Sequence, residues 1–128
     1  MQSNYTVSPT TYAWVSTAGF SSLALTDDSA SGAITLPFTF SLYGQNYSTI
    51  YIGSNGLLTL GSNAGTTSFS NTTLPATATP NAAIYPYWDD LNPAAGGSIK
   101  YGTAGDGSFV VSWEGVPPYA ATDRKTHV

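Results

Sequence analysis

From Ile34 to Leu42 the residues Ile34, Leu36, Phe38, Phe40 and Leu42 alternate with Thr35, Pro37, Thr39 and Ser41. A side chain that changes face at every residue is the signature of a half-buried β-strand, and no helix can bury such a set on one side. Ile50 and Ile52 repeat the period against Thr49 and Tyr51, and Leu58 and Leu60 resume it beyond Asn55-Gly56. That dipeptide predicts a tight hairpin of type I′, which needs positive φ at both central residues. Pro37 cannot donate to a ladder, so it predicts an edge strand or a bulge.

The same period continues downstream. Ser98–Thr103 and Ser108–Glu114 flank Ala104-Gly105-Asp106-Gly107 and read as a second hairpin, with Phe109, Val111 and Trp113 on one face and Val110, Ser112 and Glu114 on the other. Ile84, Pro86 and Trp88 alternate with Tyr85, Tyr87 and Asp89, which places Trp88 with the core. Weaker strands are expected at Tyr12–Val15 and Ser21–Leu25. Ser62–Pro80, rich in Ser, Thr, Asn and Pro, reads as a long loop with a short turn near Phe69. No stretch of 11 or more residues holds a helical period. About eight short strands separated by turn residues predict an all-β fold, an antiparallel β-sandwich. The chain is one domain, with its core over about 20–116 and a loop or tail over 117–128. After Val116-Pro117-Pro118-Tyr119 the tail reads as a loop feeding a further strand that is cut off, which leaves an unpaired edge; a frayed terminus is the plain alternative.

Composition narrows the function. Only 8% of the 128 residues are charged and the net charge is −4, against roughly 25% charged in ordinary soluble domains. The cations are Lys100, Arg124 and Lys125, too few to neutralise a run of phosphates, which argues against nucleic acid and disfavours anionic membrane surfaces as partners. With 41% hydrophobic residues a packed core is within reach, unlike in a disordered chain. There is no cysteine, hence no disulfide, thiolate metal site or thiol chemistry. No apolar run approaches the ~20 residues that span a bilayer. Met1-Gln2-Ser3-Asn4 shows no basic region followed by an apolar core, and Met1 reads as an initiator placed on an excised segment.

The blocks Leu36–Gly61, Leu74–Asn81, Pro86–Leu91, Gly97–Tyr101 and Val111–Trp113 follow the order LPFxFxxYGxxYxxxYxxSNGxLxxG, a Pro-rich connection, PxWDDL, G-x-I-x-Y and VxW. In that order they resemble a β-sandwich module of secreted and cell-surface bacterial proteins. They are more distantly similar to the nidogen-like domain of animal matrix proteins. The resemblance runs from about Leu23 to Trp113. It implies an extracellular module without known catalysis, serving adhesion, matrix association or domain spacing in a larger protein. It also implies a further strand after the loop at the C-terminal end, and thereby a complementing β-strand as a partner.

Candidate sites each carry a plain alternative. Asp89 and Asp90, with Asn92 nearby and Asp27 and Asp28 upstream, are the one acidic constellation. Calcium takes six to eight oxygen ligands, which two Asp pairs meeting at a sandwich end can begin to supply. Equally, Asp89 and Asp90 can accept backbone N–H groups and end a strand. No other cofactor is expected. Tyr51, Tyr85 and Tyr87 lie off the core phase and are candidates for a sugar-stacking face, although strand aromatics ordinarily pack across strands. Lys100 is weighed as one partner of a Lys–Asn or Lys–Asp isopeptide link, but its phase points to solvent. Catalysis finds no support: His127, the sole histidine, is at the terminus, and Glu114, the sole glutamate, has no spaced carboxylate partner for glycoside hydrolysis. The expected function is a non-enzymatic extracellular adhesion or spacer module that meets protein or glycan at the cell surface. The alternatives are a carbohydrate-binding module, with or without calcium, and an assembly element whose open edge accepts a strand from another chain.

Overall fold

The computed structural model describes residues 6–120 and 126–128, with the side chains of residues 126 and 127 left aside. Eight antiparallel strands form two sheets. One sheet has the order β1-β6-β7-β8, built from β1 (Ser21–Leu23), β6 (Ser98–Thr103), β7 (Phe109–Val116) and β8 (Thr126–His127). The other has the order β2-β3-β4-β5, built from β2 (Ile34–Leu42), β3 (Gln45–Ile52), β4 (Leu58–Leu60) and β5 (Ala83–Ile84). The expected all-β sandwich is therefore present. A single 3-10 turn, Pro93–Ala95, is the one helical element among the described residues.

The alternating residues meet between the sheets. Leu36, Ile50, Ile52, Leu58 and Leu60 come from one side, and Ile99, Trp113 and Val116 from the other, with Leu91 entering from a loop. Burying one such side chain stabilises the fold by roughly 1.5–3 kcal/mol, so the inward faces of both sheets drive assembly. Trp113 is fully buried and donates its Nε1–H to the Gly53 carbonyl at 3.0 Å. This bond ties β7 to the loop between β3 and β4.

Pro37 behaves as its chemistry requires. β2 is an edge strand, and its register against β3 slips between Thr35 and Phe40. The β6–β7 hairpin pairs Thr103 with Phe109 across Ala104–Ser108 and is closed by Gly107 N–H donating to Ala104 at 3.0 Å.

Several expectations need correction. The Asn55-Gly56 hairpin exists, but not as a type I′ turn. Gly53 N–H donates to Leu57 at 2.9 Å across three residues, and only Gly56 has positive φ (+72°). That is the longer hairpin connection with a left-handed glycine, and it frees the Asn55 side chain to turn inward. The type I′ pattern appears instead at Tyr43-Gly44, both at positive φ, between Leu42 and Gln45.

Tyr12–Val15 forms no strand. Its segment lies against Val110–Ser112 instead, with Thr17 Oγ1 donating to Glu114 Oε1 at 3.0 Å. Trp88 is not in the core, because β5 stops at Ile84 and the period lapses after it. The last residues do enter a strand, β8: His127 pairs with Glu114, and Trp113 exchanges both backbone bonds with Val128 at 2.7 and 2.9 Å. Residues 121–125, including Arg124 and Lys125, fall outside the described residues, as does the side chain of His127.

Candidate functional site

Three loops converge at one end of the sandwich, and Asn55 joins them. Its side chain is fully buried. Asn55 Nδ2–H donates to Asp28 Oδ1 at 2.9 Å and to the Thr67 carbonyl at 3.3 Å, while its Oδ1 accepts the Leu91 N–H at 2.8 Å. Backbone bonds reinforce the junction. Ser54 N–H donates to Ser29, Asp89 N–H to Asn55 and Tyr87 N–H to Gly56. No room is left at Gly56, where a Cβ would stand 1.9 Å from the Tyr87 carbonyl oxygen.

This junction brings Asp27, Asp28 and Asp90 together, with one carboxylate oxygen from each lying within 4.8 Å of the others. Asp27 Oδ1 and Asp90 Oδ1 are buried and accept no hydrogen bond. Burial pushes the Asp90 carboxyl above the ordinary carboxylate range, and the charges of Asp28, Asp27 and Asp89 push it further. Asp27 is raised as well, first by burial and then by Asp28. The donors are hard oxygens on loops, a set that suits calcium better than a transition metal. The other two residues of the expected set act differently. Asp89 Oδ1 accepts the Asp90 N–H at 2.9 Å, and Asn92 Oδ1 accepts the Ala94 N–H at 3.0 Å to cap the 3-10 turn.

The three tyrosines differ in their surroundings. Tyr85 packs its ring on Trp88 with centroids 4.9 Å apart and donates its hydroxyl to the Pro80 carbonyl at 2.6 Å. Burial raises its phenol above the usual range. Trp88 in turn donates Nε1–H to Ser68 at 3.0 Å, so this pair anchors the long loop. Tyr51 is half-buried and Tyr87 is 43% exposed. No ring contact joins either to Tyr85 among the described residues. Lys100 forms an ion pair with Glu114 at 3.4 Å on the outer face of its sheet. Its recorded partner is thus a glutamate, not the Asn or Asp that the isopeptide link requires.

A further feature escaped the sequence reading. Between the sheets, on the flank beside β7, runs an apolar groove of about 200 Å³. Phe38 and Phe40 of β2, Ile84 and Pro86 near β5, and Phe109 and Val111 of β7 line it, and Trp113 closes its inner end. Phe38 remains 42% and Ile84 37% exposed there. The signal available in the sequence was Phe109-Val110-Val111, three consecutive apolar residues in a strand that otherwise alternates.

Among the described residues, no helix is long and apolar enough to cross a membrane. No curated protein and no solved structure matches the chain. A comparison with protein families does find a match, to the family described as NIDO related, over residues 4–127. That span takes in both sheets, the acidic junction and the open flank, and the chain belongs to the NIDO-related family, an extracellular type of module.

Proposed function

We propose that the chain is a non-enzymatic module of a larger secreted or cell-surface protein, serving adhesion or the spacing of neighbouring domains, and that its working surface is the open flank. The observation that carries this reading is the apolar groove beside β7, with Phe38 and Ile84 exposed at its rim. Contiguous exposed apolar surface marks an interaction site. This groove offers aromatic and aliphatic faces without convergent polar groups, which suits polypeptide better than a sugar or a small polar substrate. Beads coated with the module test the reading on cells before and after enzymatic removal of surface glycans. Adhesion that survives deglycosylation and is lost with Phe38→Asp is expected. Adhesion that follows the glycans transfers the function to carbohydrate, and adhesion indifferent to Phe38→Asp removes the flank from it.

A second, compatible reading is cation assistance. It is favoured by the two buried carboxylate oxygens, Asp27 Oδ1 and Asp90 Oδ1, that accept no hydrogen bond. A calcium ion held by Asp27, Asp28 and Asp90 would satisfy both and fix the loop junction. Melting of the wild-type chain in EDTA and in millimolar calcium decides it. A rise with calcium that Asp90→Asn abolishes is expected, and an unmoved wild-type melting temperature rejects the cation.

A further inference from the structure

Asn55-Gly56 is the one Asn-Gly pair in the sequence, and in an open chain such a pair is chemically unstable. Asparagine is among the thermolabile residues. A following glycine adds no side chain to shield the next backbone nitrogen and leaves the backbone free to turn. The Gly56 nitrogen can then lose its proton and attack Cγ of Asn55. A C–N bond forms, the bond from Cγ to Nδ2 breaks, and the displaced NH2 takes up a proton and leaves as ammonia. One water opens the resulting cyclic imide at either carbonyl. The product is an aspartate or an isoaspartate, the latter carrying its backbone through Cβ.

The folded junction opposes each part of this reaction. Cγ must swing to the Gly56 nitrogen, yet Nδ2 is held by Asp28 Oδ1 at 2.9 Å and the Thr67 carbonyl at 3.3 Å, and Oδ1 by the Leu91 N–H at 2.8 Å. The backbone on either side is fixed too, since the Asn55 carbonyl accepts the Asp89 N–H at 3.2 Å and the Gly56 carbonyl accepts the Tyr87 N–H at 3.1 Å. Asn55 is fully buried, which keeps water and base from it. The products fit no better than the reaction. Aspartate sets a carboxylate against Asp28 Oδ1 at the 2.9 Å contact. Isoaspartate adds an atom to a loop that closes with Gly53 N–H on Leu57 at 2.9 Å and has no room for a Cβ at Gly56.

We infer that Asn55-Gly56 is a self-modification site which the loop junction keeps shut, so that opening the junction ages the module in one direction by destroying the amide that closes it. The inference stands apart from the flank and cation readings above. The gate is local. The bonds that hold the amide are loop and side-chain bonds at one end of the sandwich, and Asp28 is exposed. The inward residues of both sheets, by contrast, are buried. Openings of such loops cost less than unfolding of a core.

The test incubates the unmodified chain at pH 8 in EDTA, folded and unfolded in urea. Conversion at Asn55 is read as a gain of about 1 Da on the peptide that carries it, after proteolysis. The folded chain should convert at least about a thousandfold more slowly than the unfolded one. Asp28→Ala, which releases one side of the amide, should convert at least about fivefold faster than the folded wild type. Ile99→Val, in the other sheet, lowers global stability by a comparable amount, and should change the rate by less than about twofold. The converted chain, separated by its extra negative charge, should melt at a lower temperature than the original. Conversion as fast folded as in urea overturns the inference. Equal acceleration by Ile99→Val and Asp28→Ala assigns the gate to unfolding of the whole chain and overturns it too. A converted chain that melts with the original overturns the one-way ageing.

Discussion

Asn55→Ala tests whether the loop junction, rather than the strands alone, holds this sandwich together. The substitution leaves the Leu91 N–H buried without an acceptor, since Leu91 is fully enclosed and Asn55 Oδ1 is its partner. An orphaned buried donor costs about 1–3 kcal/mol. The bond to Asp28 is charge-assisted, but Asp28 is exposed and water can replace the amide, so its loss counts for about 1 kcal/mol. The void left by the truncated side chain adds about 1 kcal/mol. The expected loss is therefore about 4 kcal/mol, a large share of the ~5–15 kcal/mol that holds a domain folded. Urea unfolding at 25 °C measures it. Asn55→Asp sharpens the test, because it keeps the acceptor for Leu91 but sets a fourth carboxylate against Asp28 at the 2.9 Å contact. At pH 7 it should be at least as unstable as Asn55→Ala. On acidification the introduced carboxyl takes up a proton, and the deficit should shrink. A loss below about 1 kcal/mol for Asn55→Ala, or an Asn55→Asp deficit that ignores pH, would refute the reasoning.

Three further outcomes follow from the same structure. Asp90→Asn should stabilise the chain at pH 7 in EDTA, because the folded state holds the Asp90 and Asp27 carboxyls above their unfolded value of 3.8. The native state then binds protons more tightly than the unfolded one, so the wild type gains stability as pH falls through the raised folded values toward 3.8. The Asn variant lacks the Asp90 part of that gain, and the two stability curves should converge on acidification; a constant difference from pH 7 to pH 4 contradicts the assignment. Asp106, lowered chiefly by the Ser108 N–H, acts in the opposite sense in the β6–β7 turn and cancels in the comparison. Trp113→Phe keeps most of the ring but strands the buried Gly53 carbonyl, for a loss of about 2–3 kcal/mol by chemical denaturation; a loss below about 1 kcal/mol would mean that carbonyl is met otherwise. Gly56→Ala forces a Cβ onto the Tyr87 carbonyl at positive φ, and soluble yield and melting temperature should both fall sharply, whereas Gly105→Ala, with open space around it, should leave both unchanged.

Local chemistry made much of the fold legible. The β6–β7 hairpin, the edge position of Pro37 and the core phase of Trp113 all follow from period two and from what proline and glycine can do. Period failed where a strand was too short to carry it. Beyond Ile84 the chain leaves the ladder, so Trp88 lands against Tyr85 and the Ser68 carbonyl although its phase matched the core. Tyr12–Val15 has strong β-propensity but no ladder to join, and propensity without a partner edge does not make a strand. The acidic cluster was half legible. Both Asp pairs stood out, but which carboxylates meet depends on Asn55, a residue far from either in sequence whose side chain is easily read as turn chemistry alone. The groove was invisible to alternation because it is made by what the second sheet leaves uncovered.

The two notable regions of the molecule stand in contrast, and β7 runs between them. At its Trp113 end the strand is fixed by a buried indole bond to Gly53, by Val128 on its edge and by the core. Gly53 belongs to the loop that carries Asn55, so this end is continuous with the stitched junction. At its Phe109 end the strand pairs with β6, and apolar space lies above and below its other edge. The bonds that hold β7 at its Trp113 end do not depend on what fills the groove. Any segment that fills it binds the folded state alone, and therefore adds stability in proportion to the logarithm of its concentration over its dissociation constant, about 2.7 kcal/mol at a hundredfold excess.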